Sequence, residues 1–208
     1  MNISIEVKKL VLFLHGSGIT AFGMEKWLKN VCSKPPPTIG VILPSAPMQR
    51  YDLDNQLRSV WHQRKDIDID SDFEDLEGID RMSIALHKII EDLNILGLSD
   101  VSIGGFSMGG HLAIHSVYRN ELKINKCFAI SSYLINKSLV YNSDMKNKDV
   151  PLLLCHGNLD QVVPKEWSGI CHKQLQKKNI NSSLQIYKGL GHEIRSDVIK
   201  DVFQWIEM

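Results

Sequence analysis

The segment Val101-Ser-Ile-Gly-Gly-Phe-Ser-Met-Gly-Gly110 decides how this chain is read. It sets four glycines within seven residues, around a single serine and directly behind a short apolar run. Glycine weakens a strand, and at the start of a helix each one costs about 1 kcal/mol relative to alanine. So much backbone freedom implies that two elements pass each other too closely for a Cβ. Gly105-Phe-Ser-Met-Gly109 has the form G-x-S-x-G, after a strand-like run and before a helix-like one. In that setting the serine sits in a strained turn and projects its hydroxyl above the sheet edge.

The segments on either side supply the sheet. Nearly continuous apolar runs recur at Lys9–Leu14, Gly40–Leu43, Val101–Ile103, Cys127–Ile130 and Leu152–Cys155. Such runs suit strands buried on both faces, which means a mostly parallel sheet. Leu184-Gln-Ile-Tyr187 alternates and is expected nearer an edge, and Ile3, Ile5 and Val7 alternate as a leading edge strand would. Between the runs lie helix-period segments. The longest is Leu76–Leu96, stopped by Gly97, and shorter ones span Met108–Tyr118, Glu166–Leu175 and Val198–Ile206. Strands alternating with helices predict an α/β fold with an open, doubly wound sheet and its ligand beyond the carboxyl ends of the strands. From Ser45 to about Phe73 no regular element is expected, which marks that connection as a candidate binding surface.

Composition narrows the function. The 208 residues carry 24 basic and 24 acidic side chains, so no charge excess points to nucleic acid or to anionic lipid. Leu10–Leu14 is too short to span a bilayer, and Met1–Glu6 lacks the pattern of a secretory signal. The four cysteines are too scattered for a disulfide framework or a zinc site. A cytoplasmic protein with free thiols is expected.

A serine alone is a poor nucleophile and needs a base and an orienting carboxylate. In this kind of fold they follow in the order Ser, Asp, His. Asp160 follows the fifth apolar run in His156-Gly-Asn-Leu-Asp160, and His192 follows the sixth in Gly189-Leu-Gly-His192. Ser107, Asp160 and His192 are therefore the expected catalytic residues. His156 and His15 are set aside as bases because of their place in that order, and His111 and His115 are read as packing or surface residues. His15-Gly-Ser-Gly18 follows the first strand and is expected to supply a backbone N–H from Ser17 to an oxyanion, with a second from Met108. The acidic stretch Asp66–Glu77 partly matches a calcium loop, but Ser71 stands where the sharp turn needs glycine. It reads instead as the acidic start of the following helix, with Ser71-x-x-Glu74 as a capping box.

Together these residues resemble the acyl-protein thioesterase and lysophospholipase family of small α/β-hydrolases. The resemblance covers nearly the whole chain. It is carried by Phe13-Leu-His-Gly-Ser-Gly18, Leu43-Pro-Ser-Ala-Pro47, Ser59-Val-Trp61, Ile103–Gly110, Ala129-Ile-Ser-Ser132 and Cys155–Asp160. The Phe-Ser-Met-Gly-Gly form, with Ser17 after His15-Gly16, resembles the lysophospholipase-like esterase branch more than the thioesterases proper. The resemblance implies one α/β-hydrolase domain over residues 1–208, with no metal or organic cofactor. It further implies a serine hydrolase cleaving acyl esters or thioesters, with an S-acylated protein or a lysophospholipid among the candidate substrates. Two departures stand near the expected mouth of the site. Ile19 replaces a family acidic residue, and His62-Gln63 replaces an aromatic–aspartate pair. A hydrolase fold kept as a small-molecule binding module is the competing reading, which an intact triad disfavours. Within the Ser45–Phe73 connection, Met48, Tyr51 and Trp61 are expected to wall an acyl pocket.

Overall fold

The computed structural model describes residues 7–31 and 35–208. The alternation at Ile3 and Ile5, and Cys32, lie outside the described residues, and Val7 belongs to no strand. The elements in chain order are β1 (Lys9–Leu14), α1 (Ala21–Val31), β2 (Ile39–Ile42), β3 (Met48–Tyr51), β4 (Gln56–Ser59), α2 (Leu76–Ile95) and β5 (Val101–Phe106). They continue as α3 (Met108–Arg119), β6 (Lys126–Ile130), α4 (Leu139–Asn142), β7 (Leu152–Gly157), α5 (Lys165–Lys177), β8 (Ser182–Tyr187) and α6 (Ser196–Glu207).

The main sheet has the order β2-β1-β5-β6-β7-β8, and every neighbouring pair is parallel. Strand alternation then divides the core in two. Leu10, Leu12 and Leu14 of β1 face one side with Ile79, Leu112, Val117 and Leu175 from α2, α3 and α5. Val11 and Phe13 face the other with Met24 of α1 and Val198, Val202 and Phe203 of α6. Residues of β6 and β7 alternate in the same way, which is why their sequences are apolar without a gap. As expected, β8 lies at the edge.

Two expectations change. The Ser45–Phe73 connection is not devoid of regular structure, because β3 and β4 pair as an antiparallel hairpin. Its strands, Met-Gln-Arg-Tyr and Gln-Leu-Arg-Ser, lack apolar alternation, and the turn between them rests on Asn55 at φ 58°. Nor does Ser71 cap α2. Asp75 does so, with Oδ1 accepting from Gly78 N at 3.0 Å and Oδ2 from Gln63 N at 2.7 Å. Glu74 instead turns inward, where Oε2 accepts from Leu139 N at 2.9 Å.

The sharpest local constraint lies between β5 and α3. A Cβ on Gly105 would sit 2.5 Å from Gly109 C and 2.6 Å from Leu14 O, and one on Gly109 would run into Leu14 O. Both glycines let α3 cross β1 and β5 at van der Waals contact, and between them Ser107 adopts φ 52°, ψ −116°. That left-handed conformation costs about 1–3 kcal/mol for a non-glycine residue. It persists because both flanks are fixed: Ser107 N donates to Ile130 O at 2.8 Å, and Ser132 Oγ donates to Ser107 O at 2.8 Å.

Candidate active site

Ser107 is the one half-buried residue in a stretch that is otherwise buried from Val101 to Tyr118. The strained turn lifts it out of the core at the carboxyl end of β5. His192, in the loop after β8, meets it there: its Nε2 is 3.2 Å from Ser107 Oγ. Its Nδ1 is 2.8 Å from Asp160 Oδ2, in the loop after β7. Three residues separated by 53 and 32 positions in sequence are thus joined into one hydrogen-bonded chain.

Proton positions follow from Asp160. Its Oδ1 accepts from Val162 N at 3.0 Å and Val163 N at 2.8 Å, while His156 Nε2 approaches Oδ2 at 3.3 Å. Burial pushes this carboxyl up, but the hydrogen bonds from His156, His192 and Val163 outweigh it and hold the group well below the usual range. Asp160 is therefore an ionised, acceptor-only group, so His192 Nδ1 carries a proton. Nε2 is left with its lone pair toward the Ser107 hydroxyl, the tautomer that removes a proton from serine.

His156 is the residue that the sequence reading missed in a supporting role. It is fully buried at the end of β7, and its Nε2 also donates to Val163 O at 2.8 Å. No hydrogen bond joins it to Ser107 among the described residues, and the His-x-x-x-Asp spacing was its only signal. His15 has a parallel role in the first loop. Its Nδ1 donates to Gly16 O at 2.8 Å and its Nε2 accepts from Ala46 N at 3.0 Å, while burial lowers its pKa. The neutral ring thereby fixes the Gly16–Gly18 turn, where Gly18 stands at φ 76°.

Ser17 and Met108 line the same cavity as Ser107 and His192. Its other walls are Ile19, Trp27 and Phe106 on one side, Val162 and Val163 on another, and Tyr51, Arg64 and Ile67 from the Ser45–Phe73 connection. Of the three expected pocket residues, Tyr51 alone is on this wall. Met48 is 57% exposed on the hairpin. Trp61 is 2% exposed, stacked at 4.7 Å on the His15 ring with Nε1 donating to His15 O at 2.8 Å. Its contacts support the first loop, and it is not among the residues lining this cavity. Trp27 and Ile19 were missed as pocket residues: Trp27 was not singled out, and Ile19 appeared only as a departure from the family pattern.

A family model described as Phospholipase/Carboxylesterase matches residues 3–208. The chain belongs to this family. Mouse lysophospholipase-like protein 1 is 32% identical over 203 residues, covering 94% of this chain and 84% of that protein. Acyl-protein thioesterase 1 homolog 1 of Dictyostelium discoideum is 32% identical over 188 residues, covering 88% and 82%. Among solved structures, Arabidopsis thaliana SOBER1 superposes with a TM-score of 0.84 at 23% identity, covering 96% of this chain and 97% of its own. That likeness shows the α/β-hydrolase fold. This member of the phospholipase/carboxylesterase family is a hydrolase of the serine esterase and thioesterase class. No helix among its described residues is long and apolar enough to cross a membrane.

Proposed function

We propose that the chain, acting as one α/β-hydrolase domain over residues 1–208, cleaves acyl esters and thioesters through Ser107, His192 and Asp160. The observation that carries this reading is the continuous chain Ser107 Oγ–His192 Nε2–His192 Nδ1–Asp160 Oδ2 at a cavity with Ile19, Trp27, Phe106, Val162 and Val163 in its walls. Ser107 Oγ attacks the acyl carbonyl while its proton passes to His192 Nε2. Asp160 stabilises the imidazolium that forms. The oxyanion is met by the backbone N–H groups of Ser17 and Met108, the latter at the N-terminus of α3, where the helix dipole favours negative charge. His192 then returns the proton to the departing alcohol or thiol. Water, activated by the same ring, releases the acid from the acyl-enzyme and restores the serine.

The apolar walls suit the acyl chain, and the open mouth between Val162 and Ile67, which are 47% and 39% exposed, suits a leaving group larger than the cavity. An S-acylated protein or a lysophospholipid has that shape, in the cytoplasm and with no nucleic acid or cofactor involved. The test is a phosphonate that labels activated serines, followed by rates on esters and thioesters of increasing acyl length. Stoichiometric labelling of Ser107 with turnover of both series is expected. A folded protein that binds acyl compounds but takes up no label would be a binding module.

A further inference from the structure

Behind the candidate active site, four residues further along α3, lies a second cluster of chemistry-bearing groups that the proposed hydrolysis leaves idle. His111 and His115 stand one turn apart on α3, 3% and 0% exposed. Glu74, from the loop before α2, reaches between them: its Oε1 is 3.0 Å from His115 Nε2 and 3.9 Å from His111 Nε2. One donor atom from each of the three lies within 4.8 Å of the other two. Ligands about 2.0–2.1 Å from a tetrahedral ion stand about 3.3 Å apart, so closing the triangle takes only small side-chain rotations.

His111 is the anomaly. Its ring makes no hydrogen bond among the described residues: Nε2 has Glu74 Oε1 only at 3.9 Å, and Nδ1 is buried without a partner. A buried imidazole without a partner loses its hydration and regains nothing. Beside it, His62 stacks on the His111 ring at 4.7 Å, and its Nε2 is likewise buried and unpartnered. The cluster borders a cavity with room for one water-sized occupant, lined by His62, Glu74 and His111 and by Asp66, Asp68 and Asp75. Arg64 is the cation facing that cavity, and its guanidinium lies over the Tyr133 ring at 5.1 Å. Acidic groups outnumber it.

We infer that Glu74, His111 and His115 form a site for one divalent transition-metal ion, which ties the loop before α2 to the nucleophile helix. Two imidazoles and a carboxylate suit Zn2+, with water from the adjoining cavity completing four-coordination. Burial keeps both rings uncharged, which is the form that ligates. On binding, His115 Nε2 exchanges its hydrogen bonds with Glu74 Oε1 at 3.0 Å and Ser138 Oγ at 3.2 Å for the metal, and its proton moves to Nδ1. It gives up there only a long 3.5 Å contact with Arg119, whose guanidinium remains on Asp80. Glu74 Oε2 stays on Leu139 N, so the carboxylate is already oriented by a second group. The loop from His62 to Glu74 carries Arg64 and Ile67, so the ion would brace one wall of the acyl cavity without touching the reacting atoms.

The experiment uses the full chain after chelator treatment, titrated with Zn2+ and separately with Co2+. One equivalent of Zn2+ should bind and raise Tm by about 5–10 °C at a hundredfold excess over Kd. Co2+ should develop the intense visible absorption of a low-symmetry site. His111→Leu should abolish both effects while leaving the metal-free Tm near wild type, because the imidazole it removes has no hydrogen-bond partner to orphan. No Zn2+ shift in the wild type, or an equal shift in His111→Leu, overturns the proposal. Should His111→Leu fail to fold, His192→Gln decides. A Zn2+ shift that survives it supports the buried site, and one that disappears places the ion on the candidate triad and overturns the proposal.

Discussion

His156 Nε2 lies 3.3 Å from Asp160 Oδ2, the same carboxylate oxygen that receives His192 Nδ1–H at 2.8 Å. Two imidazoles and two backbone N–H groups therefore converge on one carboxylate from the end of β7 and from the loops after β7 and β8. His156→Phe should lower kcat by about ten- to a hundredfold with KM little changed, the loss of one charge-assisted hydrogen bond. His192→Gln should cost at least about a thousandfold. Steady-state kinetics on one activated ester compares the two, and equal losses in folded proteins would make His156 the base.

Ser107→Ala should remove about three orders of magnitude or more of kcat/KM and leave circular dichroism unchanged. It should also keep or raise Tm, since alanine drops the hydroxyl but inherits the strained backbone. Wild-type turnover in this variant would place the nucleophile elsewhere.

Acid stability follows from Asp160 and Glu74. Burial opposes ionisation of both. Hydrogen bonds from His156 and His192 to Asp160, and from His115 to Glu74, reverse it and depress both pKa values, that of Glu74 to about 2. Each group binds fewer protons folded than unfolded, so its contribution is complete above an unfolded value near 4 and is lost as pH falls through the folded one. Tm should therefore drop progressively between about pH 4.5 and 2. Asp160→Asn should flatten that profile, and an unchanged slope would remove Asp160 from it.

The acyl-length profile should answer to Trp27, which packs edge-to-face on Phe106 at 5.4 Å inside the cavity wall. Trp27→Ala should change kcat/KM most on the acyl lengths that reach the wall, by up to about fourfold per methylene in contact. Trp61→Ala should instead depress all lengths alike and destabilise the fold by about 3–5 kcal/mol, since the indole is buried on His15. A length-selective effect at Trp61 would return it to the pocket.

Gly109→Ala should prevent folding, while Gly97→Ala should fold with a modest loss. A methyl at Gly109 meets the Leu14 carbonyl, whereas one at Gly97 meets nothing within 4 Å and bears only the cost of φ 80°. Thermal unfolding of the pair separates close packing from backbone conformation.

What the sequence determined by itself was local and periodic. Apolar runs without alternation meant strands covered on both faces, and glycines at 105 and 109 meant a helix pressed against a sheet. The order of Ser107, Asp160 and His192 at successive strand ends nominated one group of residues. Each of these signals lies within a few residues of chain, where sterics and burial act directly on residue type. What the tertiary structure alone decided was which loops meet. It sent Trp61 into the core and Met48 to the surface, brought Trp27 and Arg64 to the cavity, and set His156 against Asp160. It also drew Glu74 to His111 and His115 across 37 and 41 positions of sequence. The β3–β4 hairpin escaped notice because its pairing is satisfied by backbone groups, which every residue carries alike. A side chain's type tells how much it favours burial; only the packed loops tell what it is buried against.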